Sequence, residues 1–283
     1  MKFQKVTIIG AGVMGSGIAH VFGSKDFHTT LIDSDMSNLH KAKGKIESSL
    51  DRQIRKGLIS ESDKSKVLSG IKFENDLNKI NPESDLVIEA IYENKAEKID
   101  LFASLEEKIN PNAVFASNTS SISITELSAG CRKEKFIGMH FMNPVPVMKL
   151  VELIRGHLTS DDTYKSINDL ALQLGKVPVL VSDFPGFISN RILMPMINEA
   201  VFTLMEGVST KEDIDTVFKL GMNHPMGPLE LADFIGLDVC LNIMNVLYDG
   251  FKDSKYRPCP LLVKMVAAGM CGKKTGKGFY TYD

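Results

Sequence analysis

This chain has few cysteines, no surplus of one charge and no long apolar run. Its four cysteines, Cys131, Cys240, Cys259 and Cys271, are scattered through 283 residues with no C-x-x-C spacing. That excludes a disulfide framework and a cysteine zinc site, and leaves reduced thiols packed in cores. The six histidines show no H-E-x-x-H spacing, so no metal is expected. Lys and Arg total 33 against 35 Asp and Glu, a net charge of −2. Nucleic acid is therefore not an expected partner, because neutralising phosphates needs a basic face. No apolar run approaches the roughly 18 residues of a membrane span. The segment Met1–Lys5 leads into a short apolar stretch and glycines without the apolar core of a signal peptide. These absences predict a cytoplasmic protein that does not enter membranes.

What is present is an ordinary globular composition, 43% apolar and 24% charged, with a length that suggests about two domains. Short apolar, mostly β-branched runs occur at Val6–Ile9, Thr29–Ile32, Asp85–Ile88, Ala113–Ala116, Phe136–Met139 and Val177–Val181. Helical patterns lie between many of them, as in Ser16–Gly23 and in Ser160–Gly175, where Ser160 can cap and Gly175 can stop the helix. Strands alternating with helices predict βαβ units and a mainly parallel, Rossmann-type sheet. Between the second and third of these runs, Lys41–Lys56 has Ala42, Ile46, Leu50 and Ile54 on one face. Gly57 is a stop, and a second helix follows over about 62–69. This predicts a helical hairpin insert. After Asp183-Phe184-Pro185-Gly186 the periodicity is helical only. The expectation is an α/β domain over 1–183 and an all-α domain over 184–283.

Gly10-Ala11-Gly12-Val13-Met14-Gly15 fits G-x-G-x-x-G, follows a strand and opens a helix, and Asp33 stands at the end of the next strand. Gly10 permits a tight turn, Gly12 lets backbone N–H groups approach a pyrophosphate, and Gly15 lets helix and strand pack closely. Asp33 would accept from ribose hydroxyls and repel a 2′-phosphate. With Ser34 and Asp35 after it and no Arg, it favours NAD over NADP.

His140 follows an apolar strand, where ligands of doubly wound sheets bind. It is either a satisfied structural histidine or a proton acceptor. Glu152 is an acid inside the apolar run Met148–Ile154, a costly place unless it is paired. A His140–Glu152 pair would fix the tautomer and strengthen a base. Ser117–Ser121 could anchor polar substrate groups or cap the next helix. The Lys41–Lys56 helix carries six basic residues against two acidic ones. It is either a solvated face or a receiver for substrate phosphates.

Together these segments resemble the L-3-hydroxyacyl-CoA dehydrogenase family, and within it the short bacterial 3-hydroxybutyryl-CoA branch. The similarity runs along nearly the whole chain. It rests on Gly10–Ala19, Ser117–Ser121, His140–Glu152, Pro185–Arg191 and Lys274–Tyr280. It implies reversible NAD-dependent oxidation of an (S)-3-hydroxyacyl-CoA to the 3-ketoacyl-CoA, on short chains of a fatty-acid or butyrate type. In this resemblance His140 is the general base and Glu152 orients it. Ser120 lies near substrate carbonyl and nicotinamide, and Asn190 completes the site from the second domain. Asn143, Glu93 and Lys98 contact the cofactor, along with Gly10, Gly12, Val13, Met14, Gly15 and Asp33. Ser49, Arg52 and Lys56 hold coenzyme A, and the helical domain forms a homodimer. Two departures from the family pattern are a shorter loop near Ala129–Arg132 and Asp26 where a Gly often stands. Two other readings stay open: a dehydrogenase of a free, gulonate-type hydroxy acid, and a non-catalytic NAD-binding protein.

Overall fold

A computed structural model describes residues 3–282 of the chain. Contacts divide it into two units, one ending at Asp183 and the other beginning at Phe184. The first is built on one eight-stranded sheet: β1 Lys5–Ile9, β2 His28–Ile32, β3 Ile71–Glu74, β4 Leu86–Glu89, β5 Val114–Ser117, β6 Phe136–Phe141, β7 Leu150–Arg155 and β8 Val177–Ser182. The order across the sheet is β3-β2-β1-β4-β5-β6-β7-β8. Every neighbouring pair is parallel except β6–β7. The strand order reverses at β1, which pairs with both β2 and β4. A crevice for ligands therefore opens at the carboxyl ends of those strands. The α/β architecture with a helical insert is the one expected.

The helices of this unit are α1 Val13–Gly23, α2 Met36–Arg55, α3 Glu61–Ser69, α4 Lys95–Leu105, α5 Ile124–Leu127 and α6 Asp161–Gln173. The insert is the α2–α3 pair. Helix α2 starts five residues before the basic stretch because Asp35 caps it, accepting from Ser37 N at 2.8 Å. Leu39, Ala42, Ile46 and Leu50 are its buried stripe, while Ile54 is only half-buried. Ser60 caps α3 and Ser160 caps α6, each accepting from the backbone N–H three residues on. Asp26 adopts φ +63°, the left-handed backbone for which Gly is favoured and Asp is tolerated, so the turn before β2 survives the substitution.

Two strands escape the periodicity reading. β3 is four residues long, and Lys72 breaks its apolar run. β7 is buried along almost its whole length, so it lacks the alternation that marks a half-buried strand. β7 is also the strand that carries Glu152.

The second unit contains α7 Ser189–Met205, α8 Lys211–Thr216, α9 Pro228–Ile235, α10 Leu237–Phe251 and α11 Pro260–Ala267. Its core includes Met194, Val201, Leu229, Leu237, Met244 and Leu262. Buried Asp233 organises the C-terminal Lys274–Tyr280 segment. It accepts from Phe279 N at 2.9 Å, Tyr280 N at 2.8 Å and the Tyr282 hydroxyl at 3.0 Å. A Cβ on Gly278 would lie 1.9 Å from the Asp233 carboxylate, so only glycine lets this C-terminal segment approach. That segment is thus a structural clasp. Among the described residues, no single helix is long and apolar enough to cross a membrane.

Candidate active site

The carboxyl ends of β1, β2, β4 and β5 form one row. Ile9 is in register with Ile32 and with Glu89, and Glu89 with Ser117. The chain leaves β1 through Gly10, whose N donates to Ile32 O at 2.7 Å and whose φ is +102°. A Cβ there would lie 2.5 Å from Ala90 O, and one on Gly15 would lie 1.7 Å from Gly10 O. A Cβ on Gly12, in contrast, would meet nothing within 4 Å. The loop is closed toward the protein at Gly10 and Gly15 and open at Gly12, just before Val13 and Met14 begin α1 without a side-chain cap. An uncapped helix start beside open backbone fits a pyrophosphate. Asp33 Oδ2 accepts from Ala11 N at 2.7 Å, and Oδ1 from Asp35 N at 2.9 Å. Its carboxylate is held firmly beside the loop and forms no ion pair among the described residues. Glycine loop, helix start and fixed acid together suit an NAD-type dinucleotide.

His140 on β6 lies directly across from Glu152 on β7, the antiparallel pair. His140 Nδ1 and Glu152 Oε2 are 2.7 Å apart, and both side chains are buried. The pairing depends on the one antiparallel contact in the sheet. A parallel β7 would not fold back after the short Met142–Lys149 loop.

Ser117–Ser121 is held by two acids. Glu89, 0% exposed, accepts from Ser117 Oγ at 2.5 Å, Lys98 Nζ at 2.5 Å and Ile91 N at 2.7 Å. Glu93 accepts from Thr119 Oγ1 at 2.6 Å, from Ser120 N at 2.9 Å and from Ser120 Oγ at 3.2 Å. Lys98 bridges the acids, with its Nζ 3.1 Å from Glu93. Burial pushes the Glu89 carboxyl above the usual carboxylate range, against the pull of Lys98 and Ser117. Burial also pushes Glu93 up, but Lys98 and the Thr119 and Ser120 hydrogen bonds outweigh it and hold it below that range. Asn118 Oδ1 accepts from Phe141 N at 3.0 Å, tying this run to the strand of His140. Cap duty for α5 falls to Ser123, not to Ser117–Ser121.

A cavity of about 1050 Å³ lies between α1, α2 and the loop after His140. Ser49, Arg52 and Lys56 line it, as does Asn143. Lys25, Lys41, Lys45, Lys149 and Lys176 line it too, and among the described residues no aspartate or glutamate does. Seven cations therefore face one cavity in a chain of net charge −2. Lys176 is buried and donates to Val145 O and to Met148 O, the latter at 2.8 Å, fixing the loop between His140 and Glu152. Burial lowers its pKa.

Sequence reasoning passed over Glu89 and Lys176 as site residues. Glu89 carries the same signal as Glu152, an acid closing an apolar strand. Lys176 has no such signal, because its acceptors are backbone carbonyls. Asn190 lies in α7 of the second unit and is buried.

Two family models cover almost the whole chain: 3-hydroxyacyl-CoA dehydrogenase, NAD binding domain, over residues 5–184, and the C-terminal domain of the same family over 186–282. A probable 3-hydroxybutyryl-CoA dehydrogenase of Deinococcus radiodurans is 54% identical over 99% of this chain and 100% of its own. The human mitochondrial hydroxyacyl-coenzyme A dehydrogenase is 44% identical over 99% of this chain and 91% of its own. The crystal structure of (S)-3-hydroxybutyryl-CoA dehydrogenase from Ralstonia eutropha superposes with a TM-score of 0.96 at 48% identity, covering 100% of both chains. With its glycine loop, its His–Glu pair and these matches along its full length, the chain belongs to the 3-hydroxyacyl-CoA dehydrogenase family and is an NAD-dependent oxidoreductase.

Proposed function

We propose that the chain interconverts (S)-3-hydroxyacyl-CoA and 3-ketoacyl-CoA, with 3-hydroxybutyryl-CoA and acetoacetyl-CoA as the preferred pair. The observation that carries this reading is the buried His140–Glu152 pair beside the Ser117–Ser121 run. The His140 Nδ1–H donates to Glu152, which assigns the substrate's hydroxyl proton to Nε2. Glu152 orients the ring and stabilises the imidazolium once that proton has moved. Ser120, set by Glu93, supplies a hydroxyl to the carbonyl oxygen of the substrate. When bound, NAD supplies the hydride acceptor. Gly10, Gly12, Val13, Met14 and Gly15 would hold its pyrophosphate, Asp33 its ribose, and Glu93, Lys98, Ser120 and Asn143 its nicotinamide side.

The cationic cavity supports a coenzyme A thioester rather than a free hydroxy acid. Ser49, Arg52 and Lys56 on α2 would hold the phosphates of coenzyme A. Asn190 is carried over from the family pattern as a substrate-binding amide of the second unit. Homodimerisation is assigned to that unit, where Val208, Leu220, Met222 and Phe234 are large exposed apolar side chains. Sedimentation of the full chain should show twice the monomer mass. A cytoplasmic location goes with this reading, and cell fractionation checks it.

The decisive experiment follows nicotinamide absorbance with acetoacetyl-CoA and NADH, with NADPH in parallel and free acetoacetate as control. Turnover should require the thioester and NADH. Turnover of the free acid alone would replace the thioester reading with that of a hydroxy-acid dehydrogenase.

A further inference from the structure

His20 is on α1, is 3% exposed and lines the cationic cavity. Its backbone carbonyl accepts from Ser24 N at 3.0 Å and from Ser24 Oγ at 2.8 Å. Its imidazole has no hydrogen-bond partner among the described residues. A buried polar ring left unpaired is costly, so its partner is to be sought in the cavity that it lines. The charged groups that share this cavity are Lys25 after α1, Lys41, Lys45, Arg52 and Lys56 on α2, Lys149 before β7 and Lys176 before β8. All are cations. Burial lowers the pKa of His20 to about 4, and none of these neighbours favours a second proton on the ring. A neutral imidazole offers one N–H donor and one nitrogen acceptor. That pair matches an amide, which has both, better than a phosphate, which only accepts.

In a coenzyme A thioester the charge sits on the phosphates. The pantetheine arm between them and the thioester is uncharged and carries amides. Gly17, on the same face of α1, packs against the loop after His140, where a Cβ on it would lie 2.9 Å from Val145 Cβ. His20 is about one helical turn, roughly 5 Å, farther along α1. That places it next to the part of the substrate that adjoins the thioester. We propose that His20 is a substrate-binding residue that hydrogen-bonds an amide of the pantetheine arm. The inference rests on the thioester reading given under Proposed function. The cations of α2 take the phosphates, and His20 recognises the neutral arm.

His20→Leu removes both polar atoms, and His20→Gln keeps a donor and an acceptor. Steady-state kinetics with acetoacetyl-CoA and with acetoacetyl-pantetheine, which lacks the nucleotide, reads the effect. In His20→Leu the KM for both thioesters should rise roughly three- to tenfold, the scale of one neutral hydrogen bond. The kcat should change little, because the contact is made equally before and during the reaction. His20→Gln should recover most of the wild-type KM. The rise should persist at 1 M salt, since neither partner is charged. A KM unchanged in His20→Leu overturns the proposal. So does a rise confined to acetoacetyl-CoA, which would place His20 on the nucleotide, or a rise that salt removes, which would make the contact ionic. Imidazole nitrogen NMR of the wild-type protein carries the test if His20→Leu fails to fold. Pantetheine alone should shift the His20 signals, assigned by their loss in His20→Gln, and unmoved signals overturn the proposal. A wild-type protein that reduces both thioesters while His20→Leu matches it refutes this inference alone. One that reduces neither thioester refutes the substrate reading, and this inference with it.

Discussion

Lys98 and Arg52 are both cations of the first unit, set in opposite surroundings. Lys98 is 1% exposed between two carboxylates and within reach of a backbone carbonyl. Arg52 is exposed on α2 and faces a cavity lined by other cations and, among the described residues, no acid. Lys98 is enclosed together with Glu89, so its charge orders the Ser117–Ser121 run and is screened little by salt. Arg52 and Lys56 are held apart from acids, so their field reaches outward and weakens with ionic strength. A positive side chain thus builds rigid geometry in one place and long-range attraction in the other. The difference comes from burial and partner count, not from sequence.

The comparison breaks most visibly at the dry end. His140→Gln should lower kcat by about 10²–10⁴-fold, the usual contribution of a general base, with NAD binding little changed. Steady-state kinetics beside a binding titration checks this. Wild-type turnover in that variant would reduce the His140–Glu152 pair to a structural contact. Glu152→Gln should lose less, because the ring stays hydrogen-bonded but its cation is less stabilised.

Glu89→Ala should cost about 3 kcal/mol of stability, since it strands Ser117 and Ile91 N–H and leaves Lys98 with one acid. Denaturant unfolding at low and high salt should give the same loss. A loss that salt removes would place this cluster with the surface charges.

Arg52→Ala combined with Lys56→Ala should raise KM for acetoacetyl-CoA by about tenfold at low salt, from roughly 1 kcal/mol or less per exposed contact. At 1 M salt the difference should shrink to about twofold. A salt-independent effect would mean these side chains are desolvated on binding.

The smallest effect separates the two acids by pH. Glu93 is held below the carboxylate range, so its contribution to stability is present at neutral pH and lost as pH falls through its native pKa. Glu89 is pushed above that range, so its contribution has the opposite sign and is lost as pH rises through its native pKa. Unfolding free energies of Glu93→Gln and Glu89→Gln, compared with wild type from neutral to acid pH, should diverge in opposite directions.

Much of the first unit was legible in the residues. A glycine pattern after an apolar strand, an acid at the end of the next strand and a serine cap before a helical stripe all act over a few residues, so local steric and hydrogen-bonding rules suffice. The basic face of α2 was legible too, but not its direction. Only packing set it opposite Asn143 across one cavity. β3 and β7 were missed because one is short and interrupted by a lysine and the other is buried on both faces. Missing β7 left open whether His140 and Glu152, twelve residues apart, touch at all.

The sequence by itself determined the α/β order, the dinucleotide loop, the hairpin insert and the candidate acids and bases. Each of these is a matter of near neighbours along the chain. The tertiary structure decided which of those groups meet. The antiparallel register of β6 and β7 brings His140 to Glu152. The parallel register of β4 and β5 brings Glu89 to Ser117, 28 residues away. Strand register is fixed by which faces are buried across the whole sheet, and no local stretch of residues contains that information.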